Sequence, residues 1–145
     1  MAPLQKRAWY SLVIGLVFTI AIAVVFIVKG GIDTFNEDQG FRITVDILWI
    51  GALLASLLMT GVTLRKPGQV DERDKLIMVR AQKIQLMAVM FSLVAWVISL
   101  SEIYDTEGQI PIVFLYLIFI SVLLVMSLTQ SIGVLIGYWR GASHD

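Results

Sequence analysis

Four apolar runs, residues 8–28, 43–64, 84–101 and 111–138, constrain this chain more than anything else in it. Each is close to the ~20 residues a helix needs to cross a hydrocarbon core ~30 Å thick. In that solvent every backbone N–H and C=O must be bonded internally, which a helix achieves within one segment. The runs therefore predict an all-α membrane protein, an antiparallel bundle of four transmembrane helices. Composition agrees: 58% of the 145 residues are hydrophobic and 15% are charged, whereas soluble domains carry roughly 25% charge. The connecting pieces are too short to bury a soluble core. A single membrane domain over residues 1–145 is expected, with 65–83 as its longest polar segment.

The basic residues give the orientation. Lys6, Arg7, Arg65, Lys66, Arg73, Lys75, Arg80, Lys83 and Arg140 fall on one side of a four-span layout, and Lys29 and Arg42 on the other. The positive-inside rule then places both termini and segment 65–83 in the cytoplasm. Trp9 and Tyr10 open the first run and Tyr138 and Trp139 close the fourth, at the level where amphipathic rings prefer to sit. Lys6 and Arg7 followed by AIA at 21–23 resemble parts of a signal peptide, but VVFIV continues the apolar run past that point. The first run is read as a retained helix.

Lipid gives helices little reason to associate by apolar burial, so close packing leans on small residues. Each run carries some at four-residue spacing: Ser11, Gly15, Thr19 and Ala23; Gly51 and Ala55; Ala88 and Ser92; Gly133, Gly137 and Gly141. GVLIG at 133–137 is a GxxxG pattern. It serves either as a face for a partner helix or, as such pairs more commonly do, in packing within the chain's own bundle. The fourth run measures ~42 Å at ~1.5 Å per residue, so it must tilt, bend or project. Thr129, Gln130 and Ser131 interrupt it, and an intramembrane Gln130 calls for a polar partner, with an interhelical hydrogen bond as the ordinary solution.

Signs of chemistry are sparse. No ionisable residue falls near the middle of a run, where proton relays and ion pathways usually show themselves. Asp46 lies about one turn inside the second, within reach of water or of Arg42 four residues before it. The single histidine, His144, cannot supply two axial haem ligands from one copy. There is no cysteine, and no HExxH, GxSxG or phosphate-binding glycine loop. No cofactor or metal is expected. Eleven basic residues balance eleven acidic ones, so nothing argues for nucleic acid.

The densest charge lies in VDERDKLIMVRAQKI at 70–84. Pro67-Gly68 ends the preceding helix. Asp71 then caps a new one, with Asp74 as the capping-box carboxylate. Pairs from Asp71 and Glu72 to Lys75 add support. The helix is expected to pass from the interface into the third span without a break. Arg73, Arg80 and Lys83 form a basic collar, which is a solvated helix foot, an anionic-lipid contact or a docking surface. A metal held by Asp71, Glu72 and Asp74 is disfavoured by the arginine and lysine that compete for those carboxylates.

The stretch D-E-R-D followed by basic-Ala-x-x-Ile, here Arg80, Ala81 and Ile84, resembles a family of small prokaryotic four-helix membrane proteins of unknown function. The resemblance implies a prokaryotic cytoplasmic membrane and brings no activity, substrate or cofactor.

From the residues, the leading expectation is a non-catalytic accessory or scaffolding subunit. Gly15, Gly51, Gly133, Gly137 and Gln130 would pack on partner helices or on another copy. Asp71, Glu72, Arg73, Asp74, Arg80 and Lys83 would make the cytoplasmic contact. The alternatives are a small oligomeric transporter or channel with a polar path near Gln130, and a sensor that docks a soluble partner.

Overall fold

The computed structural model describes residues 2–63 and 71–142. Arg65, Lys66, the Pro67-Gly68 turn and His144 lie outside them. Among the described residues there are five helices and no strand: α1 (Pro3–Lys29), α2 (Gly31–Glu37), α3 (Gln39–Thr63), α4 (Glu72–Tyr104) and α5 (Val113–Ala142). All except α2 are long and apolar enough to cross a membrane.

Local chemistry sets the helix ends. Pro3 opens α1, where its missing N–H costs nothing. Gly30 closes it with φ 99°, a left-handed conformation that suits glycine, and returns its N–H to Phe26 O. Between α2 and α3, Asp38 sends its N–H to Thr34 O at 2.9 Å and accepts the Gly40 N–H at 2.8 Å. The expected capping box is present at α4: Asp71 accepts from the first turn, and Asp74 Oδ2 accepts the Asp71 N–H at 3.3 Å. From that box α4 runs unbroken through Tyr104.

The long helices pack as a row, α3 on α1, α1 on α5 and α5 on α4, and α3 shares no extended interface with α4 or α5. Two apolar clusters hold the row together. One joins Ile22, Phe35, Phe41, Val45, Leu100, Val113, Phe114 and Ile120. The short α2 was not anticipated from sequence. It delivers Phe35 into this cluster, against Phe26 (5.7 Å), Phe41 (5.1 Å) and Tyr116 (5.2 Å). The second cluster, at the opposite end, joins Leu4, Ala8, Ile77, Ala81 and Val134.

Outside these clusters large apolar side chains face outward. Phe91 on α4 is 70% exposed and Leu58 on α3 is 69% exposed. Apolar exposure on this scale is untenable in water and ordinary against lipid.

Candidate functional site

A cleft lies between α1, α3 and α5 and encloses about 220 Å³. Its walls follow from helical periodicity. Arg7, Ser11, Gly15, Phe18 and Ile22 come from one face of α1; Trp49, Ala52, Leu53 and Ser56 come from α3; Ile120, Leu124, Ser127, Gln130 and Ser131 come from α5. Spacings of three and four residues bring each set to a common stripe.

The cleft is polar at one end and apolar at the other. At the apolar end Ile22 and Ile120 also belong to the first core cluster, and Trp49 meets Phe119 edge to face at 5.3 Å, bridging α3 and α5. At the polar end Ser11 Oγ and Ser127 Oγ share a hydrogen bond of 3.1 Å across α1 and α5. Ser131 donates to Ser127 O at 2.8 Å. Bonded to each other or to a carbonyl four residues back, these hydroxyls leave few polar groups free for a ligand.

Two lining groups are different. Gln130 makes no side-chain hydrogen bond among the described residues, so the interhelical bond expected of it is not formed there; its amide borders the cleft instead. Arg7 is partly buried and is the one charged lining residue among those described; it has no charged partner there. Ser11 pairs with Ser127, and Ala8 clusters with Val134, which places Gln130 at the level of Arg7–Ser11. In the sequence Arg7 marks orientation and the basic start of the first run, and no motif there assigns it to a site. Its signal was present: Arg7 stands four residues before Ser11 and continues the Ser11, Gly15, Thr19 face.

The other candidate residues fall elsewhere. Gly15 approaches α5 so closely that an added Cβ would lie 2.9 Å from Leu128 Cδ2. Gly133 faces Ala81, where a Cβ would lie 3.1 Å from its Cα, and Gly137 faces Ile77 at 2.6 Å from Cγ2. A Cβ on Gly141 would run into the Arg73 guanidinium. The GxxxG pattern thus serves packing inside the chain. Gly51 has nothing within 4 Å of an added Cβ and lies outside the cleft.

At the foot of α4, Asp74 is buried, and its Oδ1 accepts the Tyr138 hydroxyl. Asp71 Oδ1 accepts the Glu72 N–H at 2.6 Å. With their carboxylates engaged by backbone and phenol, neither Asp71 nor Asp74 makes an ion pair with Lys75 among the described residues, and Glu72 does not either. Glu72, Arg73, Arg80 and Lys83 are exposed. Near the other end, Asp46 accepts Trp49 Nε1–H at 3.0 Å rather than pairing with Arg42. Arg42 donates instead to Phe35 O at 3.0 Å and to Asn36 O, tying α3 to the carbonyls of α2.

No protein-family model, no curated protein and no solved structure matches this chain.

Proposed function

We propose that this chain is a non-catalytic protein of a prokaryotic cytoplasmic membrane that takes an amphipathic solute from the bilayer into the cleft between α1, α3 and α5. Of the expectations drawn from sequence, this develops the transporter reading around Gln130. The observation that carries it is the cleft itself, inside the span region, with Arg7 and Gln130 bordering it unpartnered among the described residues. Concave, mostly apolar sites with a few polar groups are what small-molecule ligands occupy. The apolar end around Ile22, Ile120 and Trp49 argues against a continuous watery pore and for a solute with a hydrocarbon portion.

The reading includes an antiparallel bundle with both termini cytoplasmic. Support for the sense of packing comes from the pairing of Gly133 with Ala81, Gly137 with Ile77 and Gly141 with Arg73, in which numbers rise along α5 as they fall along α4. Support for orientation comes from the basic residues near α1's start, α4's start and α5's end. The prokaryotic setting rests on the D-E-R-D resemblance.

A second reading keeps the accessory-subunit role. It is favoured by the outward face of α3, where Gly51 leaves room for a partner helix to approach closely. Native mass spectrometry of protein extracted in mild detergent from its own membranes separates the two. A bound small molecule supports the first; other polypeptides in constant ratio, with an empty cleft, support the second.

A further inference from the structure

We infer that the ligand of this cleft is a single long-chain fatty acid, with its carboxylate at Arg7 and Gln130 and its alkyl chain extended toward Trp49 and Ile22. The inference rests on the reading that the cleft is a ligand site, and it adds the chemical class.

Charge complementarity selects the headgroup. Arg7 carries one positive charge that no described residue balances, in a partly desolvated position. A lone buried-side charge is costly, and its natural complement is a single negative charge. Guanidinium binds carboxylate through two parallel N–H···O bonds. One guanidinium suits a monoanion better than a doubly charged phosphate monoester. Gln130, level with Arg7–Ser11, offers an amide N–H to the same region.

Shape selects the tail. From Arg7 to Ile22 the α1 wall extends ~22 Å at ~1.5 Å per residue. The cleft encloses about 220 Å³, against the ~150 Å³ cavity that holds one benzene. It therefore takes a segment of one alkyl chain, with the remainder of a long chain left in the bilayer through the gap between α3 and α5, and it has no room for the paired chains of a phospholipid. Access is available at the polar end, because α3 shares no extended interface with α5 and their contact at Trp49–Phe119 lies at the apolar end. A fatty acid in the bilayer could therefore enter sideways, tail and headgroup already at matching depths.

The test uses the full-length protein in nanodiscs of zwitterionic lipid, titrated with hexadecanoate and, separately, with hexadecan-1-ol. Saturable binding of one hexadecanoate per chain is expected, preferred over the alcohol by about tenfold or more, the worth of one charge-assisted hydrogen-bonded contact. Arg7→Gln should erase the preference while alcohol binding persists, and Arg7→Lys should retain most of it. Ala52→Trp, or the smaller Ala52→Leu if the first fails to fold by thermal melting, should block both ligands. Equal binding of acid and alcohol to the unmodified protein overturns the carboxylate assignment while the cleft reading stands. Hexadecanoate binding that survives the Ala52 substitutions overturns the site. If neither amphiphile binds, the fatty-acid assignment is wrong. The protein extracted from its own membranes then decides the broader reading: a different bound small molecule preserves it, and an empty cleft removes it as well.

Discussion

The phenolic hydroxyl of Tyr138 donates to Asp74 Oδ1 across 64 residues of sequence, joining the end of α5 to the beginning of α4. Asp74 is 6% exposed and also accepts the backbone N–H of Asp71, so a single carboxylate caps one helix and clamps it to another. The most conspicuous charged motif in the sequence thus has a structural centre. Its exposed charged members are Asp71, Glu72, Arg73, Lys75, Arg80 and Lys83, and these face outward, where lipid headgroups or a soluble partner can meet them.

Removing the phenol should therefore be costly. Tyr138→Phe leaves a buried carboxylate oxygen without its donor, a loss of ~1–3 kcal/mol. Thermal melts in detergent should show the decrease. A double-mutant cycle with Asp74→Ala should show strong coupling, because both changes break the same contact.

The glycine stripe of α5 should act on stability before it acts on assembly. Gly137→Leu drives a side chain into Ile77 and should destabilise the fold by ~1–3 kcal/mol, with partial relief when Ile77→Ala is added. Gly51→Leu meets open space. It should leave melting unchanged, and any shift in native mass would then report a partner or a second copy on α3.

Hydrogen bonds within the spans should matter less than the foot of α4. Trp96 donates to Ser121 Oγ at 2.8 Å, linking α4 to α5. Ser121→Ala should cost only ~0.6 kcal/mol, the average for such bonds in a membrane helix bundle. A melt as strongly shifted as that of Tyr138→Phe would contradict the ranking.

Gln130→Leu should alter ligand occupancy without lowering stability, since the amide has no hydrogen bond to lose among the described residues. Solute uptake or retention in reconstituted vesicles, compared with melting of the same sample, separates these effects. A large fall in melting temperature would show that Gln130 is a packing residue.

The four long helices were legible because lipid leaves a spanning segment few alternatives, and hydropathy reports this directly. The capping box at Asp71 and Asp74 was legible because it is local: both partners lie within one turn. Tyr138 could not be assigned to Asp74 from sequence, because nothing local pairs residues on two different helices. The same holds for GVLIG, whose spacing announces a close approach but not to which helix. Arg7 was visible as a charge and not as a lining group, since only the placement of α3 and α5 reveals what its face borders. Helix α2 is seven residues long, too short for a periodicity to emerge, and Phe35 at its centre was hidden accordingly.

The most direct test of the cleft exploits the absence of cysteine from the chain. Gln130→Cys and Val113→Cys each introduce one thiol, the first bordering the cleft and the second buried in the first core cluster, outside the cleft lining. In nanodiscs, a long-chain alkyl maleimide should label Gln130→Cys readily and Val113→Cys poorly. Adding Ala52→Trp to Gln130→Cys should slow the labelling sharply by filling the space. If Gln130→Cys is as inert as Val113→Cys, or if Ala52→Trp changes nothing, α1, α3 and α5 do not enclose a site that an amphiphile can enter.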